Sequence, residues 1–76
     1  MTILETITNN METGIGMMRR AIDSHNQRLW DGGQGAYDGA VKAASLECLD
    51  ISSYTKQGED LIKQAQGVGL IIRGRQ

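Results

Sequence analysis

Thr2-Ile3-Leu4-Glu5-Thr6-Ile7-Thr8-Asn9-Asn10-Met11-Glu12-Thr13-Gly14-Ile15-Gly16-Met17-Met18-Arg19-Arg20-Ala21-Ile22-Asp23-Ser24-His25-Asn26-Gln27-Arg28-Leu29-Trp30 is the stretch that decides the fold. Apolar side chains recur at Leu4, Ile7, Met11, Ile15, Met18, Ala21, Ile22 and Leu29, mostly in steps of three and four. At about 100° per residue they form one stripe, with Glu5, Glu12, Arg20, Asp23 and Gln27 on the opposite side. Thr2 and Glu5 have the spacing of a capping box, in which the Thr hydroxyl accepts from the N3 amide. The pattern predicts one long amphipathic helix over the first thirty residues, ended by Gly32-Gly33. Gly14 and Gly16 are the places where it could kink. At roughly 1.5 Å per residue the stripe is about 40 Å long, and something has to cover it.

Outward from that helix, glycine supplies the punctuation, since the 76 residues contain no proline. Asp31-Gly32-Gly33-Gln34-Gly35 reads as a hairpin turn, because glycine accepts the positive φ that ends a helix. A second helix is expected from Ala36 to Leu49. Its Ala36, Ala40 and Ala44 form a bare ridge that Gly14 and Ala21 of the first helix can receive, giving a helical hairpin. Leu46 and Leu49 point off that ridge and give the helix a second apolar face. Asp50-Ile51-Ser52-Ser53 is a connection with capping residues. A third helix is expected from Tyr54 or Thr55 to Gln66, with Leu61, Ile62 and Ala65 inward and Gly67 at its end. Val68-Gly69-Leu70-Ile71-Ile72-Arg73 is either a short strand or an apolar arm, docked in its own fold or on a neighbour. The expected fold is all-α, a small three-helix bundle with an apolar C-terminal arm, and residues 1–76 form one domain.

Size and composition narrow the function. A chain this short buries only about 60% of its unfolded surface, so it commonly adds a disulfide, a metal or an oligomeric interface. One cysteine excludes an internal disulfide, and one histidine with one cysteine cannot build a structural zinc site. Association is the remaining route, most simply a homodimer. The net charge of −1 argues against a protein that coats nucleic acid or anionic membrane. Residues 37–60 carry a local charge of −3, whereas residues 63–76 hold Lys63, Arg73 and Arg75 and no acid. No apolar run approaches the roughly 20 residues that span a membrane. A basic n-region with an apolar h-region is missing from the N-terminus, and the single unpaired cysteine fits a reducing compartment. The expected location is the cytoplasm, or the host cytoplasm for a virus-encoded chain.

Few residues suggest chemistry. His25 falls on the first stripe and reads as a core or interface residue, since no nucleophile or orienting carboxylate accompanies it. Cys48 sits between acids that would raise its pKa, so it reads as a small buried hydrophobe. Gly32-Gly33-Gln34-Gly35 lacks the Lys-Ser/Thr of a Walker loop and the preceding strand of a dinucleotide loop. Neither a catalytic residue, a cofactor nor a metal is expected. Arg19, Arg28, Trp30 and Tyr37 form the candidate binding set, because Trp and Arg dominate binding hot spots and the same pair can clamp a nucleobase and its phosphate. The competing use of Trp30 is to fold over the turn onto Tyr37 as core.

Thr55-Lys56-Gln57-Gly58-Glu59-Asp60-Leu61 has a Thr-x-x-Gly-x-x-Leu spacing. Over the nine residues Tyr54 to Ile62 it resembles the segment entering the last helix of some winged-helix DNA-binding domains. That resemblance implies DNA binding through a basic recognition helix and a wing. Ala36 to Leu49 departs from the pattern, with one lysine and no arginine. The leading expectation is a non-enzymatic binding protein that self-associates and occupies a surface of another macromolecule, as adaptors and virus-encoded inhibitors do. The alternative is an oligomer that sequesters a small anion such as a nucleotide.

Overall fold

The computed structural model describes residues 2–74 and shows three helices: α1 (Ile3–Ser24), α2 (Gln27–Leu46) and α3 (Ser52–Gly67). Among the described residues there is no strand. The all-α bundle expected from the sequence is therefore the fold, although α1 and α2 end earlier, and α2 and α3 start earlier, than expected.

α1 starts as its cap predicts, with the Thr2 hydroxyl accepting from the Glu5 amide at 3.1 Å. It runs unbroken through Gly14 and Gly16. It does not reach Gly32. His25 adopts φ 54° and ψ 44°, the left-handed conformation that closes a helix, and its N–H bonds the carbonyls of Ala21 and Ile22. Asn26 then caps α2, its side chain accepting from the Leu29 amide at 3.1 Å. His25-Asn26 is thus the hairpin turn. The Gly32–Gly35 segment expected to be that turn lies inside α2. His25 is exposed, so of the core or interface role expected of it the core alternative does not hold.

Gly14 of α1 and Gly33 of α2 serve packing. A Cβ on Gly14 would stand 2.7 Å from the Tyr37 amide nitrogen and 2.9 Å from the Gly33 carbonyl oxygen. One on Gly33 would meet Met18 N at 2.9 Å and Gly14 O at 3.0 Å. The two helices cross here backbone to backbone, a distance that any side chain would forbid. Gly14 does receive the second helix, as expected, but at Gly33 and Tyr37 and not at the alanine ridge.

Around this crossing Met11, Met18, Ala21, Trp30, Tyr37 and Ala44 are almost wholly buried. Tyr37 extends the core to the third helix: its ring occupies the place a Cβ on Gly58 would need, and its hydroxyl donates to the Thr55 carbonyl at 3.3 Å. α3 begins at Ser52, two residues earlier than expected, after the Asp50 carboxylate accepts from both the amide and the hydroxyl of Ser52. Leu61, Ile62 and Ala65 face inward as expected. Cys48, at φ 55°, ends the α2 connection on the surface, contrary to the buried role expected for it.

Candidate functional site

The C-terminal segment resolves into a docked arm. Leu70 and Ile72 are buried, and Ile71 between them is exposed, an alternation of period two. Two glutamines of α2 hold its main chain. Gln27 accepts from the Ile71 amide at 2.8 Å and donates to the Ile71 carbonyl at 2.9 Å. Gln34 accepts from the Arg73 amide at 3.2 Å and donates to the Arg73 carbonyl at 2.7 Å. Each carboxamide thus bonds the arm as the peptide group of a neighbouring strand would. Gln27 and Gln34, two turns apart on the helix, pair with Ile71 and Arg73, two residues apart on the arm. Their flexible side chains take up the difference between about 10.5 Å and about 6.8 Å.

Each glutamine is anchored one turn further on. Gln27 donates to Asp31 at 2.9 Å, and Gln34 donates to Asp38 at 3.2 Å. Gln34, buried beneath the arm, also accepts from the Trp30 indole N–H at 2.9 Å. Asp31 completes the seat with a second contact to the arm, its Oδ2 lying 3.3 Å from the Arg73 guanidinium. Much of the Arg73 side chain is in water, so that pair adds little to stability and serves mainly to orient the arm.

The four candidate residues divide. Trp30 and Tyr37 are interior, at 0% and 1% exposed, and cannot touch a partner in this fold. Their shared face follows from the true start of α2, which puts them at i and i+7 on the core side. Arg19 and Arg28 are exposed on different helices. The turn at His25-Asn26 places Arg19 and Trp30 on different helices, so they do not form one binding set. Arg19 donates to Gln57 of α3 at 3.1 Å and lines a cleft of about 350 Å³ with Ile22, Asp23, Gln57, Asp60, Leu61 and Gln64. Two carboxylates against one guanidinium give this cleft a charge that opposes an anion.

No family model, curated protein or solved structure matches the chain. The reading of the site therefore rests on its geometry.

A second cleft, of about 280 Å³, opens where the start of α1 meets the end of α2, lined by Ile3, Thr6, Ile7, Ala43, Leu46 and Glu47. Leu46 is 77% exposed, Ile3 61% and Leu4 52%. Leu46 was legible in the sequence as an apolar residue on the wrong face. The glutamine pair was not, because Gln27 and Gln34 carry no apolar signal and align only once α2 is known to start at Asn26. Among the described residues no three His, Cys, Asp or Glu side chains are grouped to hold a metal, and no helix is long and apolar enough to cross a membrane. His25 and Cys48 lie at opposite ends of the 20-residue α2, roughly 30 Å apart along its axis.

Proposed function

We propose that the protein is a small non-enzymatic binding protein that self-associates and occupies a surface of another protein, in the manner of an adaptor or an inhibitor. The observation that carries this reading is the apolar cleft beside Leu46. A leucine left three-quarters in water next to an open hollow is costly to expose in so small a domain, and covering it yields roughly 1.5–3 kcal/mol for that side chain alone. Glu47 lines the cleft beside Leu46, so the partner best suited is an amphipathic helix with a basic residue beside its apolar face. The separation of His25 from Cys48 supports a binding role over a catalytic one. The free thiol of Cys48 supports a reducing compartment such as the cytoplasm. The acidic balance of the Arg19 cleft favours a protein partner over a nucleotide.

The test uses the full chain as bait in an affinity capture, with two variants. Leu46→Lys should keep the helical circular dichroism of the parent and lose the captured protein. Arg19→Ala combined with Arg28→Ala should keep both. Loss of capture in the arginine variant alone would move the contact to the Arg19 side and overturn the assignment to the Leu46 cleft.

A further inference from the structure

We propose that the Gln27–Gln34 seat is an interaction surface for a second copy of this chain, and that two molecules associate by exchanging their C-terminal arms. The inference specifies the self-association named above and makes no use of the cleft beside Leu46.

Three observations carry it. The seat recognises main chain: the four bonds from Gln27 and Gln34 go to amides and carbonyls of Ile71 and Arg73, and so take any extended segment with small enough flanks. The side chains it admits, Leu70 and Ile72, are those every copy of the chain carries, so a second copy's arm fits without new complementarity.

The seat is also poorly suited to standing empty. With the arm gone, the apolar places now filled by the buried Leu70 and Ile72 would open to water, and Gln34 would keep only Trp30 and Asp38 of its protein partners. Reburying that apolar floor favours recapture of an extended chain, its own or another's.

Finally, the arm leaves at the cost of one bond to the last turn of α3, from the Leu70 amide to the Ala65 carbonyl at 2.9 Å. It follows the end of α3 at Gly67 and pivots at Gly69, where φ is +90°. Swapped and unswapped states make the same contacts at the seat, so their balance is set by concentration and by the strain of this short hinge.

Asp31 and Arg73 meet across the seat and provide the assay. Two single-thiol proteins are prepared in a Cys48→Ser background, one with Asp31→Cys and the other with Arg73→Cys. They are mixed, linked with a bis-maleimide long enough to replace the arginine side chain, and resolved on a denaturing gel. Arm exchange predicts a cross-linked heterodimer that accumulates at least tenfold faster than one formed from Arg73→Cys and Arg20→Cys, which lies on the exposed face of α1. Adding Ile72→Asp to the Arg73→Cys partner should remove that advantage while its helicity persists. Equal rates in the Asp31 and Arg20 pairings, or no heterodimer in either, would show that the arm stays in its own seat. A dimer by light scattering without the thiol preference would leave self-association standing and overturn arm exchange.

Discussion

A primary carboxamide offers two N–H donors and one carbonyl with two lone pairs, and Gln34 uses all four, with Trp30, Asp38 and both main-chain groups of Arg73. Replacing it by an isosteric acid tests whether those bonds matter beyond shape. Gln34→Glu loses both donors and sets a carboxylate against Asp38 and a carbonyl, so at neutral pH it should destabilise the protein by about 2 kcal/mol or more. Part of that loss should return in acid, when the new carboxyl holds a proton. Urea melts at the two pH values decide it, and equal midpoints would refute the assignment. Tyr54 gives a second residue-level expectation. Its hydroxyl donates to Glu12 at 2.9 Å, and this bond, followed by some desolvation and the nearby negative charge, holds its pKa above the ordinary 10.0. A raised folded value means the contribution to stability is complete below about 10 and is lost as pH rises through the folded pKa. At the acid end the amide of Ser52, and then its hydroxyl, lower the Asp50 carboxyl from 3.8. That contribution is complete above 3.8 and fades as pH falls through the lower folded value. Titration followed by NMR should show the Tyr54 midpoint returning toward 10 in Glu12→Gln and the Asp50 midpoint rising in Ser52→Ala.

At the scale of the helices, the glycines fall into two kinds that the sequence does not separate. Gly14, Gly33 and Gly58 lie where a Cβ would strike backbone or the Tyr37 ring, whereas Gly16, Gly35 and Gly39 face open space. Alanine at any of the first three should destabilise by about 1–3 kcal/mol through overpacking. Alanine at Gly39 should stabilise by about 0.5–1 kcal/mol, because a helix interior gains when glycine's unfolded freedom is removed. Thermal melts of Gly33→Ala and Gly39→Ala therefore move in opposite directions. The contrast also explains what could be read in advance. The capped start of α1, its apolar stripe and the inward face of α3 follow from local periodicity, which does not depend on a partner. The glycine run at residues 32–35 was ambiguous because the same residue either turns a chain or lets two backbones touch, and only the opposing helix decides. The true stop at His25-Asn26 carried a weaker signal, an N-cap asparagine after a histidine tolerant of the left-handed region.

Across the whole molecule, a Cα radius of gyration of 12.0 Å is close to the roughly 11.4 Å expected of a compact chain of this length, and Val68 and Ile71 on the arm are exposed apolar side chains away from the Leu46 end. The arm supplies the last part of that compactness, and its need to dock was legible from its four apolar residues. Where it docks was not, since the receiving groups are side-chain amides on a part of α2 that lies ahead of its expected start at Ala36. The burial of Trp30 has an optical consequence. It is the single tryptophan of the chain, its indole N–H is engaged by Gln34, and Gln34 in turn holds the arm. Fluorescence is therefore a one-site gauge of arm occupancy: emission should be blue-shifted in the folded protein and move to the red when the arm detaches. In Ile72→Asp, that red shift should appear at lower urea than the loss of helical circular dichroism, whereas coincident curves would mean that the indole does not sense the arm.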